Sequence, residues 1–453
     1  MGGLPSCDAA ASAAPAFRQS LVDGRRLSAL RHGPAIFSVA STKGWPLTDR
    51  LVIVGAGQAG LALAARLRAL KDARPITLIG SEEAPPYQRP PLSKKYLLGE
   101  MDFDRLTFRP DAWYAENDID LRLSTFVEEI DRSAKRIRMQ DGSILDYGTL
   151  ALTTGATPRR LPAAIGGDLD GVHLMRSKRD ADDLAGEMRA GRRVLVIGGG
   201  YIGLEAAAVA RHLGVEVTLI EMADRILSRV ASAETADVIR GIHLKHGVSI
   251  REKTGLVRLI GRQGRVCGAE LSDGSTIDID FALVGIGVTP NDRLAQESGL
   301  DIGNGVIVDP FGQTSDPAIF AAGDCTLLPW KGERIRLESV QNAVDQAEAV
   351  AAVLAGTGSE HGYEPKPWFW SDQYDVKLQI AGVNHGYDET LVRPGSRDGS
   401  VSIWYFRNGR LVAVDAINDA KAYVTGKKLL DNGLQPDRAV LADPAADLKQ
   451  LLA

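Results

Sequence analysis

Residues 193–221 read RVLVIGGGYIGLEAAAVARHLGVEVTLIE, and this stretch decides the fold. Residues 194–197 form a short β-branched run, too short for a helix and suited to a strand buried on both faces. Gly198, Gly200 and Gly203 follow at G-x-G-x-x-G spacing. The first permits the tight turn, the second lets the backbone approach a pyrophosphate, and the third lets a helix pack on the strand. The helix that opens there aims unpaired N–H groups at the phosphates. A second apolar run, 216–220, ends in Glu221. About twenty residues past the glycines, a carboxylate can accept hydrogen bonds from both hydroxyls of an adenosine ribose. It would also repel a 2′-phosphate, so the stretch predicts a unit that prefers NADH to NADPH.

One such fingerprint is weak evidence, because a tight βα turn can bind nothing. Here strand, glycines, helix, strand and acid fall in order, and the unit recurs upstream as LVIVGAGQAG, with Gly55, Gly57 and Gly60 behind the run 51–54. Two fingerprints in one chain predict two dinucleotides. The second strand of the upstream unit, ITLIG, ends in Gly80 where the other copy has Glu221, so the ribose acid has either slipped to Glu82, the favoured candidate, or is missing. The proline-rich EAPPYQRPPLSKKYLLGE comes next and reads as extended and stiff until Ser93 can cap a helix.

The 453 residues suffice for two or three domains with cores of their own. A net charge of −5 with 25% charged residues argues against nucleic acid or an anionic membrane as the main partner. No apolar run approaches the ~18 residues of a spanning helix. Cys7, Cys267 and Cys325 lie too far apart for a zinc knuckle or a Cys₄ cluster, so no metal site is expected, and a reducing cytoplasm suits the chain. Residues 1–48 are rich in Ala, Ser and Arg and lack a convincing period. A disordered tail and an upstream start codon translated in error are favoured there over an Arg/Ser-rich targeting peptide.

The segment Tyr87-Gln88-Arg89-Pro90-Pro91-Leu92-Ser93-Lys94 resembles the FAD-dependent ferredoxin reductases of bacterial oxygenase systems, of the putidaredoxin reductase type. TTGATPR at 153–159, GIGVTPN at 285–291, AAGDC at 321–325, IRLESVQNA at 335–343 and WFWSDQY at 368–374 agree, and the resemblance covers the chain from about residue 50 onward. It implies an α/β fold of two Rossmann-like dinucleotide-binding domains plus a C-terminal α+β domain. The FAD-binding domain takes 49–160 and 288–355, the NAD-binding domain 161–287, and the C-terminal domain 356–453. In the last, Asn408-Gly409 marks a hairpin turn.

The resemblance also implies roles. Gly55, Gly57, Ala59 and Gly60 hold FAD at its pyrophosphate turn, with Glu82 at its ribose and Arg89 reaching the same cofactor. Thr154, Gly155, Asp324, Val340 and Trp370 complete the FAD set: Asp324 accepts from ribityl hydroxyls, the helix beginning at Val340 points its N-terminus at the ring, and Trp370 lies near the ring edge. Lys94 and Glu205 form an ion pair across the nicotinamide pocket as the catalytic pair. NAD falls to Gly198, Gly200, Tyr201, Ile202, Gly203, Glu221, Arg229 and Gly287. For Trp368, Trp370 and Trp404 the alternative is a place in the core.

NADH delivers a hydride whereas an iron–sulfur protein accepts one electron at a time; flavin reconciles the two. Disulfide reductases need a cysteine pair after the first fingerprint, and none stands between Gly60 and Cys267. The expected function is therefore NADH-dependent transfer of single electrons to a small [2Fe–2S] ferredoxin serving a cytochrome P450 or a ring-hydroxylating oxygenase. A rubredoxin or quinone reductase and a redox-signalling flavoprotein are the alternatives. A monomer or weak dimer is expected, with Arg334 and Arg336, or Lys421, Lys427 and Lys428, as candidate docking charges.

Overall fold

Leu51–Val54 is buried along its whole length because it is the middle of a parallel sheet. Ile76–Ile79 pairs on one side and Thr149–Leu152 on the other, with Ile119–Arg122 and Ile319–Ala321 at the two edges. A strand covered on both faces is continuously apolar rather than alternating. The helices Gln58–Ala69 and Val340–Leu354 share one core, through Leu63, Ala64 and Leu67 from the first and Ala343, Ala347 and Val350 from the second. The computed structural model describes residues 49–452; the readings of residues 1–48, and Cys7 with them, lie outside the described residues.

A second parallel sheet runs in the order Ser249–Arg251, Glu216–Ile220, Arg193–Ile197, Phe281–Val284, Val172–His173. The chain leaves the first sheet through Ala156–Pro158 and returns through Val288–Pro290, and these two crossings pair antiparallel. The polypeptide between them builds the second sheet, its helices and a three-stranded antiparallel addition, Leu256–Arg262, Arg265–Leu271 and Thr276–Asp278.

The third sheet is antiparallel, in the order Trp368–Gln373, Val376–Gly382, Arg410–Ile417, Val401–Arg407, Glu389–Pro394. Asn408 and Gly409 both take positive φ, 51° and 73°, as a two-residue hairpin turn requires. Alternation then divides the sheet's two faces. Trp404 and Phe406 pack with Ala422 and Leu429 of the helix Ala420–Asp431, whereas Ile403 and Tyr405 join a core with Val209, Ala236 and Ile239 of the nucleotide-binding helices. Trp404 is fully buried, with Nε1 donating to Ser402 Oγ at 3.0 Å, so it is a core tryptophan.

One local expectation fails. Ser93 caps no helix: it ends the 3₁₀ turn Pro90–Ser93, which two successive prolines start, and its hydroxyl is given to Glu205 instead.

Candidate functional site

The glycines of both fingerprints divide by what lies beside them. A Cβ on Gly55 would meet Thr153 O at 2.2 Å, and one on Gly60 would meet Gly55 O at 2.0 Å. In the second copy a Cβ on Gly198 would lie 2.5 Å from Gly285 O, and one on Gly203 2.3 Å from Gly198 O. The middle glycines, Gly57 and Gly200, face open space within 4 Å. No protein atom requires glycine there, and the open space fits the close approach of a pyrophosphate.

Helix capping gives a second observation. Among the described helices of eight residues or more, Ser177, Ser232, Ser339 and Asp419 cap theirs with a side-chain oxygen. Gln58–Ala69 and Tyr201–His212 begin at Gly57 and Gly200 and have no such bond. Their first intrahelical bonds, from Leu61 N to Gly57 O and from Leu204 N to Gly200 O, leave the preceding N–H groups directed out of the helix. Ala59, Tyr201 and Ile202 each present one of these N–H groups. Two open glycine turns above two uncapped helices fit the diphosphates of FAD and NAD.

The side chains around the second turn are arranged as follows. Glu221 Oε2 accepts from Gly199 N and Oε1 from Ala223 N, both at 2.8 Å, so the carboxylate is locked into the glycine loop with lone pairs to spare. Arg229 is exposed and its guanidinium lies against Gly287, where a Cβ would come within 3.2 Å of Nη2. Ile202 is 44% exposed at the mouth of the loop. The Tyr201 side chain points elsewhere: its ring packs on Phe369 of the third sheet, centroids 4.9 Å apart, and its hydroxyl is buried.

Around the first turn, Glu82 accepts from Arg89 at 2.5 Å and from the Tyr87 hydroxyl at 2.6 Å. Burial alone would lower the Arg89 pKa, but Tyr87 and Glu82 raise it above the ordinary arginine value. Arg89 also donates to Arg176 O, and Arg176 in turn binds Asp324 at 3.0 Å. Thr154 Oγ1 donates to Asn291 O, and Gly155 takes φ 70° with Arg176 close by. Ser339 Oγ accepts from Asn342 N, so the helix at Val340 has one N–H fewer to offer than the sequence suggests. Arg176 carries no signal of its own in the sequence, and Asn291 is visible only as the last residue of GIGVTPN.

Lys94 Nζ lies 2.6 Å from Glu205 Oε2. Glu205 is 3% exposed and accepts two further bonds, from Ser93 Oγ at 2.8 Å and from Ser371 Oγ at 2.7 Å. An ion pair this deeply placed holds only when the remaining lone pairs are satisfied, and here two serines, one from the turn before Lys94 and one from the third sheet, satisfy them. Trp370 is half-buried, its ring 5.6 Å from that of Trp368. The candidate docking charges largely have partners: Arg336 is mostly buried and pairs with Glu338, while Lys421 and Lys427 bind Asp447 and Asp431. Among the described residues no three His, Cys, Asp or Glu side chains gather to hold a metal ion, and no helix is long and apolar enough to cross a membrane.

The model of the pyridine nucleotide-disulphide oxidoreductase family matches residues 49–347, and that of the reductase C-terminal domain matches 368–452. The chain belongs to the pyridine nucleotide-disulphide oxidoreductases. This oxidoreductase is 42% identical over 409 residues to a ferredoxin–NAD(P)⁺ reductase of Sphingomonas sp., covering 89% of the chain and 97% of the relative. It is 41% identical over 407 residues to rhodocoxin reductase of Rhodococcus erythropolis, covering 89% and 94%. The solved covalent complex of putidaredoxin reductase with putidaredoxin superposes with a TM-score of 0.86 at 36% identity, over 89% of this chain and 98% of that one. The oxidoreductase is thus a two-dinucleotide flavoprotein using FAD and NAD(H), of the ferredoxin reductase type, with the fold read from its fingerprints.

Proposed function

We propose that this flavoprotein oxidises NADH and passes electrons one at a time to a small [2Fe–2S] ferredoxin that serves a cytochrome P450 or a ring-hydroxylating oxygenase. FAD, when bound, supplies the step from hydride to single electrons. The FAD-binding segments are 49–160 and 288–355, the NAD-binding segment is 161–287, and the C-terminal domain is 356–453. The observation that carries the reading is the Lys94–Glu205 pair, which joins the loop after the first glycine turn to the helix of the second. Lys94 holds a positive charge where the two dinucleotides meet, and Glu205 keeps it there. Glu221 accepts from the adenosine ribose of NADH, and Glu82, Arg89 and Asp324 hold FAD.

The test is NADH oxidation by the purified yellow protein with cytochrome c as reporter, with and without a [2Fe–2S] ferredoxin, at low and high salt. A rate that depends on ferredoxin and falls with salt supports the reading. Rapid flavin reduction with a rate indifferent to ferredoxin would redirect it to rubredoxin, a quinone or a signalling role.

A further inference from the structure

The strand Trp368–Gln373 is an edge strand, and its alternate residues Phe369, Ser371 and Gln373 share one face. Tyr201 and Glu205 are one turn apart on a helix, also on one face. The two spacings match. Phe369 meets Tyr201, Ser371 donates to Glu205, and Gln373 reaches His243 on the next helix, Ala233–Lys245, with Oε1 2.8 Å from Nε2.

The hydrogen bonds along this face are consistent with one direction only. Gln373 Nε2 donates to Ser371 Oγ at 3.1 Å, so the serine accepts there and its own proton must point at Glu205. With its amide nitrogen so engaged, Gln373 accepts through Oε1, which requires the Nε2–H tautomer of His243. The other ring nitrogen then accepts from the Tyr374 hydroxyl at 3.3 Å. His243 is fully buried, and burial pushes its pKa down to about 4, so the ring is neutral at neutral pH. The chain of donors ends on the carboxylate that holds Lys94.

We propose that Ser371, oriented by Gln373 and His243, is a positioning residue for the Lys94–Glu205 pair. The C-terminal sheet supplies the donor to Glu205 Oε1 and fixes the plane of the carboxylate, and thereby aims Lys94. Without that donor Oε1 of a buried carboxylate lacks a partner, the carboxylate is free to turn, and Lys94 is no longer held in one place. The inference rests on the reading that this pair stands where nicotinamide and flavin meet.

The experiment follows flavin reduction of the FAD-loaded enzyme by NADH in a stopped-flow absorbance instrument, for wild type, Ser371→Ala, Ser371→Thr, Gln373→Met, Glu205→Gln and Ser371→Ala combined with Glu205→Gln. The limiting rate of Ser371→Ala is expected to fall on the order of tenfold, with little change in the NADH concentration giving half that rate. Ser371→Thr should recover most of the rate, Gln373→Met should lose less than Ser371→Ala, and the double variant should be no slower than Glu205→Gln alone. Infrared spectra read the same event without turnover: Ser371→Ala should shift the carboxylate stretching bands of Glu205, since one oxygen loses its donor, and adding Glu205→Gln should remove those bands. A Ser371→Ala variant with wild-type rate and spectrum overturns the proposal, as does a loss that adds in full to that of Glu205→Gln. If Ser371→Ala does not fold, a wild-type rate for Gln373→Met overturns it. A wild-type enzyme that NADH does not reduce overturns the underlying nicotinamide reading instead.

Discussion

Lys94 Nζ and Glu205 Oε2 are 2.6 Å apart although 111 positions of chain separate the two residues. The loop that carries Lys94 follows the first glycine turn, and the helix that carries Glu205 begins at the second. The pair therefore reports on the juxtaposition of two units. Lys94→Met should slow flavin reduction by NADH by on the order of tenfold or more and destabilise the fold by about 3 kcal/mol, because a buried carboxylate loses its partner. Adding Glu205→Gln should restore the unfolding temperature without restoring the rate. Stopped-flow absorbance and thermal unfolding of the two variants distinguish the effects; an unchanged rate removes Lys94 from the mechanism.

Glu221 takes two backbone N–H groups of its own loop, so its removal loosens the loop for any nucleotide. With Glu221 in the proposed role, only NADH would also lose a ribose acceptor, and only NADPH would gain from relief of repulsion. Glu221→Ala should weaken NADH by on the order of tenfold more than NADPH, measured as the ratio of the two half-saturating concentrations. Equal losses for both would sink the specificity argument.

The two kinds of glycine should fail differently. Gly57 and Gly200 have extended backbones that alanine adopts without strain, and open space for a Cβ. Gly57→Ala should fold with near wild-type circular dichroism but purify with little FAD. Gly200→Ala should keep FAD and lose NADH affinity. Gly60→Ala and Gly203→Ala should misfold or expose apolar surface, since their Cβ atoms would fall 2.0 and 2.3 Å from backbone oxygens. Full FAD content in Gly57→Ala would count against the phosphate site at that turn.

Two buried groups give the fold opposite responses to acid. His243, with its pKa near 4, stays neutral where the unfolded chain takes up a proton, so its contribution is full above pH 6.5 and is lost as pH falls toward 4. Asp415 is fully buried, and burial pushes its carboxyl up to about 6 despite bonds from Tyr405 and Thr235. Its contribution is full below pH 3.8 and is lost as pH rises through 6. Each amounts to about 3 kcal/mol, so they nearly cancel between pH 4 and 6. Asp415→Asn should leave the His243 slope exposed, with an unfolding temperature that climbs more steeply with pH than in wild type. Unfolding scans across that window that superpose on wild type would show that Asp415 does not titrate there.

The polypeptide alone determined whatever works over the reach of one βαβ unit. The glycines at 55, 57 and 60 and at 198, 200 and 203, the continuous apolar strands beside them and the acid at 221 follow from backbone sterics, helix dipoles and strand burial, all of which act over about thirty residues. The Asn408-Gly409 turn is legible for the same reason: positive φ is a demand on residue type. Tertiary structure decided which side chains meet. Ser93 looks like a helix cap and is a ligand of Glu205; Tyr201 sits in a nucleotide motif and turns its ring to another sheet; Ser371, Gln373 and His243 look like ordinary polar residues in an aromatic strand and an amphipathic helix. Their partners stand more than a hundred positions away, and the contact exists only because a strand's two-residue step and a helix turn fall into register when the three sheets pack. Buried electrostatics has the same origin, since the pKa shifts of His243 and Asp415 come from exclusion of water by residues remote in the chain.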